Sequence, residues 1–172
     1  KHAYSTRIER IRKGMFVGRL DAVRIRAAFH YEGRLMVMFL YLFHGALPED
    51  PQLDTVYVLK GNDERIHLFE ASHPLDTSVD SRSAYQVIDS SGSLAGGFAV
   101  LNNIPVTEDG RSAFEERFLG RARRVEDMPG FSGIRVLRPL QGDTYIILTV
   151  WKNEESFKGW QESEAYNHAH QK

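Results

Sequence analysis

The part of the chain after Gly97 has a fixed order of strand and helix patterns that few folds can accommodate. Apolar runs with β-branched residues predict strands over residues 98–106, 131–139 and 144–151. Helical spacing predicts a first helix over about 108–127, with Thr107 as its cap, and Asn153 caps a second helix. The order β-α-β-β-α predicts an α+β domain with an antiparallel, ferredoxin-like sheet.

Turn and stop signals set the boundaries of these elements. Met128-Pro129-Gly130 ends the first helix, because proline lacks the amide hydrogen that a helix interior needs. Gln141-Gly142-Asp143 predicts the hairpin turn between the last two strands. Within the first helix, Phe114 and Phe118 lie one turn apart and predict its apolar face.

The first half of the chain follows a weaker version of the same order. Leu35–Phe43 is apolar on both faces and predicts a buried strand or a short buried helix. Residues 45–54 predict a loop or short helix, 55–60 and 65–70 a hairpin, and 83–88 a short helix. A fused pseudo-dimer is therefore a hypothesis, because a second half would cover the sheet edges of a lone half-barrel.

The Ser/Gly-rich stretch at 90–97 is the predicted boundary between the halves. We accordingly divide the chain into a basic N-terminal extension (1–34), a degenerate ferredoxin-like half (35–92) and a second module (97–172). The extension has nine basic and three acidic residues, whereas the remainder has thirteen and twenty. A basic arm can bind nucleic acid or a membrane surface. We favour a solvated extension instead, and expect neither nucleic acid nor membrane as a partner.

Composition excludes several kinds of site. The chain has no cysteine, which excludes disulfides, thiolate zinc sites and iron–sulfur clusters, and which fits a cytoplasmic location. No apolar run approaches the roughly 20 residues that a membrane-spanning helix requires.

Several motifs of the second half resemble one family. They are Phe98-Ala-Val-Leu-Asn-Asn-Ile-Pro-Val-Thr, Phe114-Glu-Glu-Arg-Phe, Met128-Pro-Gly-Phe-Ser-Gly, Arg135-Val-Leu-Arg-Pro-Leu and Leu148-Thr-Val-Trp-Lys. Together they resemble the antibiotic-biosynthesis-monooxygenase (ABM) superfamily, over about residues 84–172. The segment Trp160-Gln-Glu-Ser-Glu-Ala-Tyr-Asn-His-Ala-His170 resembles its haem-degrading IsdG/HmoB branch. The resemblance implies a barrel of the dimeric α/β type, here with a degenerate N-terminal half.

The resemblance also implies a catalytic set. In the family, an Asn lies on the first strand of the module, and a Trp and a His lie ten residues apart on the last helical segment. Trp160 and His170 have that spacing. Asn102 and Asn103 compete for the first position. Alignment with the family, counted back from Glu116-Arg117-Phe118, selects Asn102. A strand would then place its side chain on the face of Phe98, whereas Asn103 would point to the opposite face.

Each member of the set has an implied role. His170 would be the axial ligand of the haem iron through a neutral ring nitrogen. His168 cannot ligate the same iron from the same helix, because residues two apart point about 200° apart. Trp160 would press on the porphyrin and ruffle it, and Asn102 would donate a hydrogen bond on the distal side. Apart from the resemblance, Trp160 is also typical of core packing on an amphipathic helix. Asn102 is also typical of an ordinary polar position on a strand.

Further residues could surround the haem. Arg117 and Arg121 lie four apart on the helix and could bind the two propionates, although either could be a plain surface charge. Phe118 and Tyr166 could line the apolar slot, although core packing also explains such residues.

The implied function is a haem-degrading monooxygenase that contributes to iron acquisition. Haem would be both substrate and cofactor, with O2 and an external electron donor from an unidentified reductase. The products would be iron, a linear tetrapyrrole and a one-carbon fragment. Alternatives are a haem-binding sensor or carrier, a signalling protein without haem, and a cofactor-free oxygenase for aromatic polyketides, in which His170 would have no purpose.

The oligomeric state depends on how the barrel closes. An internal pseudo-dimer predicts a monomer, with a homodimer as the alternative. Only two residues follow His170, so the strand that follows this helix in shorter family members is missing at that position.

Overall fold

A computed structural model of the chain describes residues 14–25, 38–44, 55–61, 64–72, 84–120 and 124–163. Its strands are β1 (Met15–Ile25), β2 (Met38–His44), β3 (Thr55–Lys60), β4 (Arg65–Ala71), β5 (Ala84–Gly92), β6 (Phe98–Pro105), β7 (Phe131–Pro139) and β8 (Thr144–Trp151). Its α-helices are α1 (Arg111–Leu119) and α2 (Glu154–Glu162). In this part of the chain, no helix is long and apolar enough to cross a bilayer.

The strands form one closed barrel in the order β1-β3-β4-β2-β5-β7-β8-β6, and every neighbouring pair is antiparallel. The N-terminal half supplies β3-β4-β2-β5, which are the second, third, first and fourth strands of a ferredoxin-like unit. The C-terminal half supplies β7-β8-β6, the second, third and first strands of another unit. The predicted α+β class, antiparallel sheet and barrel type are confirmed.

The fourth strand of the C-terminal half is β1, which comes from the opposite end of the chain. β1 pairs with β6, where Met15 lies opposite Asn102, and with β3 on its other edge. The prediction that residues 1–34 form a solvated extension is therefore wrong for Met15–Ile25. Along β1, buried and exposed side chains alternate: Leu20 points into the barrel, whereas the neighbouring Arg19 is exposed. The charged residues between the apolar ones hide this strand pattern.

The predicted short helix over 83–88 is also wrong, because Ala84–Gly92 is strand β5. Its backbone is paired on both sides, with β2 on one edge and β7 on the other. This tertiary pairing outweighs a sequence rich in Ser and Asp. Alternation directs Val87 towards the barrel interior and Ile88 towards the outer apolar cluster, and the pairing with β7 shifts register between Val87 and Asp89.

The predicted helix over 108–127 is divided into shorter pieces. A 3-10 turn (Glu108–Gly110) precedes α1, and a second 3-10 turn covers Arg124–Asp127. Thr107 caps the first turn as predicted, with its hydroxyl oxygen 3.2 Å from the Gly110 amide. Asn153 caps α2 as predicted, and its side-chain oxygen accepts from the Ser156 amide at 2.9 Å.

Apolar side chains fill the interior of the barrel and cover parts of its outside. The interior is filled mainly by leucine and other aliphatic side chains: Leu20, Leu40, Leu42, Leu59, Ile66, Leu68, Leu94, Ala99, Leu101, Leu137, Ile146, Leu148 and Val150. A second cluster lies between the outside of the C-terminal half and its helices. The predicted bounds of β3, β7 and β8 agree with the structure to the residue, because each has a strong apolar or β-branched pattern.

Gly130 fixes the approach of α2 to the barrel. Its φ is +79°, and a Cβ atom at this position would lie 2.1 Å from the Ser156 hydroxyl oxygen. Its carbonyl accepts from the Lys152 amide at 2.8 Å, which ties the turn before β7 to the start of α2. Any side chain at this position would push the helix away from the barrel.

Candidate functional site

The site is built on the outer face of β6, β7 and β8, where α1 and α2 pack. We call this surface the helix-side face. Its buried apolar strand residues are Phe98, Val100, Ile134, Val136, Ile147 and Trp151. The sequence produces this face by strict alternation, because the intervening residues of each strand point into the barrel.

Asn102 lies on the helix-side face, and Asn103 lies on the opposite face. The Asn103 amide donates to the Gly14 carbonyl oxygen at 2.9 Å, so it helps to join β1 to β6. Asn102 is half-buried between Ile147 of β8 and Met15 of β1. Its side-chain amide makes no hydrogen bond to any residue within the described ranges. Strand alternation therefore assigned the two faces correctly.

Trp160 lies on α2 and packs on the same face. Its ring stacks on Trp151, with centroids 5.8 Å apart and planes inclined by 29°. Trp151 is fully buried, and its indole nitrogen donates to the Thr149 hydroxyl oxygen at 3.0 Å. Trp151 is therefore a structural residue, whereas Trp160 is only half-buried.

Asn102 and Trp160 occupy opposite ends of the helix-side face. Trp151, beneath Trp160, pairs with Phe98, which is four residues from Asn102 along β6. At about 3.3 Å per residue, this spacing is roughly 13 Å. The apolar side chains of Val100 and Ile147 lie between the two ends.

The helix α1 carries two further residues of the predicted set. Phe118 is half-buried and lies 4.8 Å from the Phe114 ring, which in turn lies 4.6 Å from the Tyr145 ring. Arg117 is exposed, with its guanidinium carbon 5.9 Å from the Phe118 ring centroid. An exposed Arg117 beside an aromatic ring is compatible with an anionic ligand group at the surface of this face.

A polar network missed by the sequence analysis joins α1 to the sheet. Arg138 of β7 donates to the Glu115 carboxylate from Nε at 2.9 Å and also from Nη2. Tyr145 of β8 donates to the other carboxylate oxygen at 2.8 Å. The Gln86 side-chain oxygen accepts from the remaining Arg138 nitrogen at 3.1 Å. No motif links these residues, since they are 23 to 52 positions apart.

These contacts set the charge states of the network. Burial alone would raise the pKa of Glu115, but the hydrogen bonds from Arg138 and Tyr145 outweigh it and lower that pKa. Burial, reinforced by the bond to Glu115, raises the pKa of Tyr145. At neutral pH, Glu115 is therefore an ionised acceptor and Tyr145 a neutral donor.

Three predicted site residues lie outside the described residues: His170, Arg121 and Tyr166. Their roles stay predictions, as do those of the residues described above. Within the described ranges, no group of three or more His, Asp or Glu side chains could hold a metal ion.

The sequence profile of the family described as Antibiotic biosynthesis monooxygenase matches residues 97–172. A Mycobacterium tuberculosis protein named "Heme oxygenase (mycobilin-producing)" is 39% identical over 61 residues, which are 35% of this chain and 58% of that protein. The chain thus spans less than two thirds of this relative. A Bacillus cereus protein named "Heme-degrading monooxygenase" is 36% identical over 74 residues, which are 41% of this chain and 68% of that protein.

A longer similarity extends into the N-terminal half. A Staphylococcus epidermidis protein named "Signal transduction protein TRAP" is 28% identical over 137 residues, which are 76% of this chain and 81% of that protein.

Two solved structures share the fold. One, described as a major regulator of staphylococcal pathogenesis, has a TM-score of 0.65 and 23% identity over 77% of this chain and 87% of its own. A heme-degrading enzyme from Listeria monocytogenes has a TM-score of 0.56 and 15% identity, and the match covers 76% of this chain and 84% of that enzyme. The profile match and the coverage of the Bacillus cereus relative at 36% identity agree with the motifs and the barrel. The chain belongs to the antibiotic biosynthesis monooxygenase family.

Proposed function

We propose that the chain is a haem-degrading monooxygenase that binds haem at the helix-side face, opens the porphyrin oxidatively and releases iron. The observation that carries this proposal is the side chain of Asn102. It is half-buried among apolar residues, and its amide makes no hydrogen bond to the described part of the chain. The amide is therefore free to donate to a ligand that lies on this apolar face.

The described residues fit a large, flat and mainly apolar group. Trp160, Phe114 and Phe118 present half-buried rings on one face of the sheet, and Asn102 adds a hydrogen-bond donor. Haem, as both substrate and cofactor, supplies the iron that activates O2 and the porphyrin carbon that is oxidised. The electrons come from an external donor, delivered by a reductase.

Within this proposal, each residue has a defined task. His170 holds the haem iron through a neutral imidazole nitrogen, Trp160 presses its indole on the macrocycle, and Asn102 donates a hydrogen bond to the reacting side. Arg117 and Arg121 bind the propionates, while Phe118 and Tyr166 line the slot. Residues 97–172 form the haem-binding domain, and residues 35–92 complete the barrel as a degenerate half.

Haemin titration followed by ascorbate in air tests the proposal. The wild-type protein is expected to give a saturable Soret band that decays to a bilin-like spectrum. Asn102→Ala is expected to bind haemin but to decay about a hundredfold more slowly, as typical for the loss of one well-aligned donor. His170→Ala is expected to lose the saturable band.

Two neighbouring residues provide matched controls. Asn103→Ala removes the same amide from the opposite face, and it should decay at the wild-type rate. His168→Ala removes an imidazole two positions from His170, and it should bind haemin normally. Slow decay in both asparagine variants, or normal binding by His170→Ala, would contradict the assignment of these residues.

The second candidate is a haem-binding carrier or sensor, or a signalling protein without haem. The signalling alternative is favoured by the similarity to the staphylococcal signalling protein, because that similarity spans 76% of this chain rather than the C-terminal half alone. A Soret band that never decays would support the carrier or sensor. A wild-type protein with no saturable band would support the signalling protein.

The proposed setting is a cytoplasmic monomer. The barrel closes within one chain, so no sheet edge of the described strands requires a second copy. Light scattering after gel filtration should give the mass of one chain, and the mass of two would support the homodimer.

A further inference from the structure

The helix α1 is weakly attached to the barrel by apolar contacts. None of its residues is fully buried, and only Phe114 and Phe118 direct apolar side chains towards the helix-side face. A nine-residue helix is marginal in isolation, so its position depends on what fastens it. Polar contacts to the sheet must therefore contribute much of the attachment.

Two polar side chains of α1 reach the sheet and its turns. Arg111, at the start of the helix, donates to the Gly142 carbonyl oxygen and lies 5.7 Å from the Tyr145 ring centroid. Glu115, one turn later, has a side chain only 15% exposed and receives bonds from both Arg138 and Tyr145. Because these donors come from different strands, they fix the carboxylate in two directions.

Along α1, Glu115 is the last residue with a described side-chain hydrogen bond to the sheet, and Arg117 and Phe118 follow it. Tyr145 lies directly opposite Ile104 and diagonally across from Asn102 on the same face. Diagonal neighbours on a sheet face are about 7–8 Å apart. The network therefore links the position of α1 to the region of Asn102.

We propose that Glu115 is a positioning residue, which holds the C-terminal part of α1 in place beside Asn102 through Arg138 and Tyr145. The haem consequence of this inference rests on the function proposed above. Loss of the Glu115 charge should loosen α1, move Arg117 and Phe118 relative to Asn102, and weaken the haem complex without unfolding the barrel.

Hydrogen exchange of the full-length protein without haem tests the attachment. Glu115→Gln should accelerate exchange of the amides of residues 115–119 about fivefold. The substitution removes a contact between α1 and the sheet, and this lowers the free energy needed to open α1 locally. Tyr145→Phe should give a smaller effect. The two effects should add only in part in the double variant, because both substitutions weaken contacts to the same Glu115 carboxylate.

Glu116→Gln is the matched control. Glu116 is exposed on the same helix and makes no described side-chain bond, so its exchange rates should equal those of the wild type. Equal rates in Glu115→Gln and the wild type would overturn the attachment, and so would equal acceleration by the two glutamine variants.

Haemin titration of the same variants tests the link to the site. Glu115→Gln should raise the haemin Kd about fivefold and shift the Soret band, while Glu116→Gln should do neither. Faster exchange with unchanged haemin binding would overturn the positioning role. A wild-type protein that forms no saturable haemin complex would overturn the proposed function and the link between Glu115 and haem binding. The hydrogen-exchange result alone would then decide whether Glu115 attaches α1 to the sheet.

Discussion

The two halves of the barrel have the same strand order but different outer faces. In the N-terminal half, Phe69 stacks on Tyr41 at 5.2 Å and on Phe43 at 5.5 Å between centroids. In the C-terminal half, the corresponding face contains the open amide of Asn102 and the polar network of Glu115. One face is closed by stacked rings, and the other has polar groups within an apolar surface.

Corresponding positions show how this difference arises. Phe39 of β2 and Phe98 of β6 each lie near the start of the first strand of their half. Four residues later, the outer face has Phe43 in one half and Asn102 in the other. The N-terminal face has its own polar side chain in His67, opposite Phe43, whose buried Nδ1 makes no hydrogen bond to the described residues. A shared scaffold thus carries a packed face and a candidate site.

The largest expected effect follows from removing β1, without which the C-terminal half has no fourth strand. Deleting residues 1–25 leaves the edges of β3 and β6 unpaired, and open edges promote association. We expect the proposed monomer to be lost to dimers or aggregates, as measured by gel filtration with light scattering. Deleting residues 1–13 leaves β1 intact and should preserve the monomer. A stable monomer after the longer deletion would refute the equivalence of β1 and β5.

The next effect concerns the contact between the halves inside the barrel. Arg135 of β7 is buried and donates to Glu70 of β4 at 2.6 Å. Glu70→Ala leaves this charge unpaired and should lower the free energy of unfolding by about 3 kcal/mol in urea titrations. The control is Glu64→Ala, which removes an exposed pair with His44 and should cost less than about 1 kcal/mol. Similar losses in both variants would mean that the interior pair does not join the halves.

A smaller effect should separate the roles of the two outer faces. Phe69→Leu in the N-terminal stack should lower the free energy of unfolding by roughly 1.5 kcal/mol and leave haemin affinity unchanged. Trp160→Phe replaces a half-buried indole with a smaller ring and should change the haemin spectrum and decay rate, with a stability loss below about 1 kcal/mol. Chemical denaturation and haemin titration measure the two quantities. A change in haemin affinity in Phe69→Leu would indicate that the ligand binds to the N-terminal half, and it would contradict the proposed site.

The smallest effect is the pH dependence of the Glu115 network. Because the folded-state pKa of Glu115 lies below its usual value of 4.5, its ionised form stabilises the fold above that pH. This stabilisation is lost as the pH falls through the lowered pKa. The wild type should exceed Glu115→Gln by about 1 kcal/mol at pH 7, and the difference should shrink below pH 4.5. A difference that is constant between pH 7 and pH 3 would contradict an ionised Glu115.

Sequence patterns predicted the parts of the fold that local residues specify. The bounds of β7 and β8 follow from apolar alternation and from the turn at Gly142, whose φ is +86°. The strand β5 was missed because its conformation depends on pairing with β2 and β7 rather than on its own residues. The strand β1 was missed because its charged residues suggested a solvated arm.

The candidate site was predictable to a similar extent. Alternation along β6 correctly separated the faces of Asn102 and Asn103, because it is a local property of a strand. The bonds of Glu115 to Arg138 and Tyr145 span 23 and 30 positions, and only the folded barrel brings these residues together. The role of His170 rests on the family resemblance, and those of Arg121 and Tyr166 rest on residue type and position in the sequence.

The position of β1 has a consequence for biosynthesis. This strand leaves the ribosome before the other described strands, yet Gly14 meets Asn103 across 89 positions of sequence. The barrel cannot close until the C-terminal half has been translated, so β1 must wait with an unpaired edge during synthesis. Charged side chains such as Arg19 and Asp21 on its outer face discourage pairing with other nascent chains in that interval. The charges on the outer face of β1 thus have a use before the barrel closes.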